Sequence, residues 1–381
     1  MSKTIISPGS TIGIIGGGQL GRMMTLAAKQ AGFSVIVLDP TKNSPSGQIA
    51  DEEIVASYDD REALAKLASR CDVITYEFEN IDYEALCWLE SVAYVPQGAE
   101  LIKVTQDRIF EKRALLNAGV EVAPYAEIRE VDDLYQKIDT IGYPAVLKTA
   151  RGGYDGKGQV VLKEAKDLVR AQELLQNGEC VLEKWLSFDK EISVIVTRNP
   201  DGELTMFPVA ENIHRDNILF ESIVPARISD ETEAEAYILG KRIAEQFGLI
   251  GTLAVEMFVT SEGSLFVNEL APRPHNSGHY TIEACETSQF EQHIRAVCNW
   301  PLKSTELLKP VVMVNILGEH IDSLYKEIPS RPNWSIHLYG KKEAIEKRKM
   351  GHVTIMTEEI ETTLNEITDS GVFSPLMKVE A

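Results

Sequence analysis

The chain is poor in the features that mark extracellular, membrane or nucleic-acid-binding proteins. Its five cysteines form no C-x-x-C pair and are odd in number. That excludes a disulfide framework or a Cys-rich zinc site and reads as reduced, mostly buried thiols. No apolar run is long enough to cross a bilayer, and the opening MSKTIISPGS lacks a basic-then-apolar leader pattern. A cytoplasmic protein without a membrane partner is therefore expected. Basic residues are outnumbered, 38 Lys and Arg against 58 Asp and Glu. General nucleic-acid binding needs a basic face and is set aside. A small anionic substrate is not, because a few cations can be concentrated in one pocket. Repeats and low-complexity linkers are also missing. What remains is ordinary globular composition, 44% hydrophobic over 381 residues, enough for two or three domains.

Strand and helix patterns alternate from residue 10 to 100: strands at 11–15, 34–38 and 73–76, helices at 21–31, 61–69 and 82–90. Such a series predicts an open parallel sheet. Further helices are expected at 106–118, 165–175, 231–247 and 283–297. From about residue 180 to 270 the strands read as mainly antiparallel, and the tail from Pro310 carries short strands and a small helix.

Two glycine-rich loops stand out. Gly16-Gly17-Gly18-Gln19-Leu20-Gly21 fits G-x-G-x-x-G between a strand and a helix, with Asp39 ending the next strand. Alone, this favours a nicotinamide or flavin site. Its physics is broader, because glycines let the backbone approach any anion at a helix N-terminus. The second loop, Gly152-Gly153-Tyr154-Asp155-Gly156-Lys157-Gly158, follows a strand ending at Lys148. It can fold its amides over phosphates, yet it is no Walker A loop, since Lys157 precedes glycine rather than Ser or Thr.

The densest chemistry lies between Thr252 and His279. Runs 252–260 and 264–270 flank Ser261-Glu262-Gly263 and predict a hairpin. Folding it sets Glu256 opposite Asn268 or Glu269. Facing carboxylates repel, and a bound Mg²⁺ would remove that penalty while leaving room for phosphate. Arg273-Pro274-His275-Asn276 follows, too polar for a core strand. Two loops and a pair of acids suggest a nucleotide with metal plus a separate substrate.

A Lys-ended strand, a glycine-rich loop, Glu183-Lys184-Trp185-Leu186 and the later E-x-F and N-E acids resemble the ATP-grasp superfamily. Within it, GGGQLGRM (16–23), YEFENI (76–81), GGYDGKGQ (152–159), APRPHNSGHYTIEAC (271–285) and RKMGH (348–352) resemble the 5-(carboxyamino)imidazole ribonucleotide synthase family. The resemblance runs from Gly16 to about His352. It implies an α/β and α+β ATP-grasp fold with an N-terminal Rossmann-like parallel-sheet domain and a small C-terminal β-rich subdomain. The implied division is 1–105 for substrate binding, 106–185 for a small lid, and 186–381 for the large domain with its β-rich tail.

It also implies a ligase of de novo purine biosynthesis. ATP, bicarbonate and 5-aminoimidazole ribonucleotide would give 5-(carboxyamino)imidazole ribonucleotide, ADP and phosphate through carboxyphosphate, in a family that tends to form homodimers. The nucleotide would meet Arg108, Lys148, the cover Gly153–Gln159 (with Tyr154, Asp155, Gly156, Lys157 and Gly158), the hinge Glu183, Lys184, Trp185 and Leu186, and Glu191, His214, Asn268 and Glu269. Glu256, Glu269 and Asn268 would hold Mg²⁺. Bicarbonate would sit by Arg273, His275 and Asn276, with Tyr154 and Asp155 on the base side of the ribonucleotide. Gln19, Leu20, Glu77, Arg348 and Lys349 would hold that substrate. His275 or Asp155 would manage the amine proton.

Plainer readings compete. His320 and His352 read as structural, Trp185 as packing, and Arg348-Lys349 as part of a solvated charged segment. Rival functions are an oxidoreductase built on the first loop, a formate-using transformylase within ATP-grasp, and a nucleotide-sensing regulator.

Overall fold

The computed structural model describes residues 5–153 and 157–373. Its first sheet is built from β1 (Thr11–Ile15), followed by α1 (Gln19–Gln30), β2 (Ser34–Asp39), β3 (Glu52–Val55), α2 (Arg61–Ala68) and β4 (Val73–Tyr76). The strands pair in parallel in the order β3-β2-β1-β4. Both faces are covered, so β1, β2 and β4 are almost wholly buried and read as continuous apolar runs. β3 was not anticipated: two glutamates and a single buried residue give it a weak strand pattern.

Next come α3 (Tyr83–Val92), α4 (Glu100–Thr105) and α5 (Arg108–Asn117). The single helix expected at 106–118 instead starts at Arg108. Asp107 is extended (φ −133°) and its carboxylate accepts from Ile109 and Phe110 N–H, capping α5. α5 therefore has a sharply defined start, and its one-turn-apart residues Arg108, Glu111 and Lys112 share a face.

The second sheet holds β5 (Tyr125–Ile128), β6 (Ala145–Thr149), β7 (Gln159–Leu162) and β8 (Cys180–Lys184), in the order β5-β8-β6-β7. Between these strands lie α6 (Val131–Ile141) and α7 (Leu168–Ala171). Ile128, Leu134, Ile138, Leu147 and Leu182 form its core. The helix expected at 165–175 is broken into 3₁₀ and α pieces, of which α7 is the only α-helical one.

The third sheet has nine strands. β9 (Lys190–Arg198), β10 (Leu204–Met206), β11 (Ala210–Arg215) and β12 (Ile218–Val224) precede α8 (Asp230–Gln246) and the hairpin β13 (Gly251–Val259) and β14 (Leu265–Ala271). Then follow α9 (Thr281–Ala284), α10 (Gln289–Val297), β15 (Val311–Leu317), α11 (Ile321–Glu327), β16 (Ser335–Leu338), β17 (Lys349–Met356) and α12 (Ile360–Asp369). The order is β14-β13-β9-β11-β12-β15-β17-β16, with β10 on β9. The C-terminal strands thus continue the large sheet through β12 and β15. The helix expected at 283–297 is two helices, because Ser288 caps α10 through Glu291 N–H.

Candidate active site

A cavity of about 430 Å³ lies where α5, the second sheet and the β13–β14 end of the third sheet meet. The hairpin folds as the sequence predicts. Gly263 takes the turn at φ +81°, and Glu256 pairs with Glu269 across the strands. The ladder slips just beyond that pair, so Asn268 is the extra residue of a bulge. Bulges re-aim side chains beside functional sites, and here Glu256, Asn268 and Glu269 all face the cavity. Burial and the Glu269 charge push the Glu256 carboxyl well above its usual range. Paired carboxylates under that strain, with a neutral amide oxygen between them, suit a hard divalent cation. Among the described residues no group of three His, Cys, Asp or Glu is placed to hold an ion by itself. The donor set is therefore one that phosphate oxygens would complete, as Mg²⁺ sites commonly are.

Cations line the other wall. Arg108 donates from Nη1 to Glu269 Oε2 at 3.3 Å and from Nη2 to the Gly153 carbonyl at 3.2 Å. Lys148 Nζ donates to Glu183 Oε2 at 3.0 Å. Burial disfavours the Glu183 charge, but Lys148 and Lys112 outweigh it and hold the carboxyl down to about 2. His214 Nδ1 lies 2.8 Å from Glu191 Oε2. Burial opposes protonation of His214, yet its pairing with Glu191 raises it above the usual value. Arg273 holds Glu79 through Nε at 2.5 Å and Nη2 at 3.1 Å. His275 Nε2 is 3.1 Å from Glu256 Oε1. Burial and the neighbouring Arg273 hold His275 well below its usual value, hence neutral.

The cavity brings together most of the sequence-predicted set. Arg108, Lys148, Gly153, Lys157, Gln159, the hinge Glu183–Leu186, Glu191, His214, Asn268 and Glu269 line it, with Glu256, Arg273, His275, Asn276 and Lys349. Gly158, Gln19, Leu20, Glu77 and Arg348 lie outside that lining. Gly158 instead ties the loop back through its carbonyl, which accepts from Thr149 N–H at 2.9 Å. Tyr154, Asp155 and Gly156 lie outside the described residues. Trp185 is corrected: it is 43% exposed at the cavity wall rather than packed, because the chain turns out of the second sheet there. His320 and His352 are buried, as their structural reading requires.

The first glycine loop has its own chemistry. Glu77 accepts from Gly18 and Gly21 N–H, so a carboxylate of this chain already sits on the loop amides. Burial raises Glu77 to about 7, with those amides opposing. Asp39 accepts from Gly17 N–H at 2.7 Å and from the Tyr58 hydroxyl at 2.8 Å. Asp39, the acid that a dinucleotide site would turn outward, is thus used internally. Lys341 Nζ bridges Gln19 Oε1 at 2.7 Å and the Lys349 carbonyl at 2.6 Å. Lys349 in turn reaches the main cavity. Sequence reasoning missed Glu79, Glu111, Lys112 and Lys341. The one-turn spacing of Glu111 and Lys112 from Arg108 was the available signal for two of them.

Comparison with known proteins covers the chain almost end to end. Residues 10–106 match the ribonucleotide synthetase preATP-grasp domain, 113–290 the ATP-grasp domain, and 311–366 the phosphoribosylaminoimidazole carboxylase C-terminal domain. The N5-carboxyaminoimidazole ribonucleotide synthase of Bacillus subtilis (strain 168) is 55% identical over 369 residues, 97% of each chain. An ADP complex of an N5-carboxyaminoimidazole ribonucleotide synthetase superposes with a TM-score of 0.96 at 57% identity, covering 98% of this chain and 99% of the other. The Aspergillus clavatus synthase, solved with ADP and 5-aminoimidazole ribonucleotide, gives a TM-score of 0.89 at 34% identity, covering 95% of this chain and 97% of the other.

Proposed function

The chain belongs to the ATP-grasp family of N5-carboxyaminoimidazole ribonucleotide synthases, and from that premise we propose how its residues divide the reaction. The enzyme is a ligase of purine biosynthesis that uses ATP to carboxylate 5-aminoimidazole ribonucleotide. We assign bicarbonate as the carbon source and carboxyphosphate as the activated intermediate. One observation carries the assignment of residues: a single cavity places the Lys148–Glu183 wall, the Glu256–Glu269 pair and Arg273–His275 around one space.

In this reading the adenine lies along Glu183–Leu186, and Glu191 holds the ribose hydroxyls with His214 beside it. Arg108, Lys148 and the Gly153–Gln159 cover face the phosphates. Glu256, Asn268 and Glu269 would hold Mg²⁺, which would supply positive charge to offset the charge developing on the phosphates. Arg273 offers bicarbonate a permanent positive charge, and Glu79, which accepts from its Nε and Nη2, holds the guanidinium at the cavity wall. Asn276 is buried with both amide atoms unpartnered, which suits a small polar guest. Gln19, Leu20, Glu77, Arg348 and Lys349 hold the ribonucleotide. His275 or Asp155 is the group we assign to the amine proton. A closed cover protects carboxyphosphate from water. We extend the reading to a cytoplasmic homodimer divided at residues 105 and 185.

The test is ADP release with ATP, bicarbonate and 5-aminoimidazole ribonucleotide, against each omitted in turn. Release that ignores the ribonucleotide or bicarbonate would sink the assignment. Titration with NADH should give no binding signal, because Asp39 and the loop amides are already engaged. Micromolar NADH affinity would restore the oxidoreductase reading.

A further inference from the structure

Glu183 is shared by two lysines, and the nucleotide reading needs only one of them. Lys148 meets Oε2 at 3.0 Å and Lys112 meets Oε1 at 3.2 Å. The two differ in where they sit. Lys148, on β6, lines the cavity, as does Glu183 on β8. Lys112, on α5, is 1% exposed and outside the lining, with its ammonium 5.8 Å from the Tyr125 ring centre. A fully buried lysine is rare and is expected to be paired.

A lysine that serves a phosphate must give up its resting partner. If Lys148 were the sole partner of Glu183, its departure would strand a buried carboxylate, a strongly unfavourable change. Two cations on one carboxylate remove that obstacle. When Lys148 turns to a phosphate, Glu183 keeps Lys112 and stays neutralised. Before then the three groups carry one net positive charge, which favours an incoming anion.

We propose that Lys112 is a positioning residue for nucleotide binding: it neutralises Glu183 from the side away from the cavity and so frees Lys148 to engage a phosphate. The proposal rests on the nucleotide reading above. Its consequence is specific to ligands that bear phosphate. Adenosine offers Lys148 nothing and is indifferent to Lys112.

The test is calorimetry with ATP and with adenosine on the full-length chain and on Lys112→Met. ATP affinity should fall about tenfold or more, because Lys148 is then the only lysine in contact with a buried acid. Adenosine affinity should stay within about threefold. In a Glu183→Gln background the same Lys112 change should cost ATP affinity less than about threefold, since no buried charge is left to balance. Equal losses for ATP and adenosine, or equal losses in both backgrounds, would overturn the proposal in favour of simple packing. Unchanged ATP affinity in the single variant would overturn it as well. Should Lys112→Met fail to fold, Lys112→Gln keeps a hydrogen-bond donor on Glu183 without the charge. It should show the same phosphate-specific loss, and ATP affinity equal to that of the unaltered chain would refute the idea. Failure of the unaltered chain to bind ATP would instead sink the nucleotide reading itself.

Discussion

Glu183 and Glu256 are two largely buried glutamates on strands that line one cavity, and their surroundings push them in opposite directions. Glu183 touches Lys148 and Lys112 and is held down to about 2. Glu256 faces Glu269 and is pushed well up. Desolvation is unfavourable for both, so the neighbours decide the sign. One wall of the cavity thus stores satisfied charge, and the other stores repulsion that a cation would relieve. Buried acids with perturbed titration cluster at functional sites. On the proposed reading, the contrast between the two walls assigns one end to the metal and the other to the lysines.

Four experiments would break or sharpen this contrast. The largest expected effect belongs to Arg273→Ala, which removes a permanent cation near the Glu256 side. Turnover should fall about a hundred- to a thousandfold, as for loss of a preorganised donor to a developing anion. Nucleotide affinity by calorimetry should survive. Lost ATP binding would move Arg273 to the nucleotide site.

Glu269→Gln comes next. It should reduce turnover at least tenfold to a hundredfold, through weaker metal binding. The melting temperature without Mg²⁺ should hold or rise, because a like-charge pair is relieved. A destabilised variant with normal turnover would reverse the assignment of this wall.

The third is a pH profile of stability without metal. Glu111, raised to about 8 by burial and Glu269, and Glu77, raised to about 7, share the sign of Glu256. Such groups keep their proton in the fold and lose it when unfolded. Their contribution is full below about 4.5 and is lost as pH rises toward about 8. Histidines held low by burial, among them His275, His279, His293 and His352, act in the opposite sense below about 6.5, so the raised acids decide the sign only above it. Stability by denaturant titration should therefore drop from about pH 6.5 to about 8, and Mg²⁺ should flatten the slope. Glu183 has the opposite sign and is lost only as pH falls from 4.5 toward about 2. A metal-free profile that rises from about pH 6.5 to about 8 would contradict the raised set.

The smallest effect is expected from Glu191→Ala. A ribose contact acts in ground and transition states alike, so the apparent KM for ATP should rise about tenfold with kcat little changed. A defect confined to kcat would place Glu191 elsewhere.

Much of this was legible in the residues. Alternating strands and helices announced the parallel sheet, and Ser261-Glu262-Gly263 announced the hairpin that pairs Glu256 with Glu269. Motif resemblance brought scattered segments to one site. Pairings between distant segments were not legible. Arg273 and Glu79 lie on different elements, and only the packed first and third sheets bring them together. Local breaks were hidden too, because a capping Asp or Ser reads as one more polar helix residue until its backbone turns out. Asp107 and Ser288 both did so.

The order of strands in the third sheet bears on how the chain is made. β12 is buried along its whole length, and its outer neighbour β15 begins only at Val311. On a ribosome β12 would therefore wait on the order of ten seconds for its partner. Meanwhile a mostly apolar strand edge stands open, the kind of template on which nascent chains pair with one another. A message truncated before Val311 would leave that edge uncovered for good, and its product should depend on chaperones and be cleared by proteases.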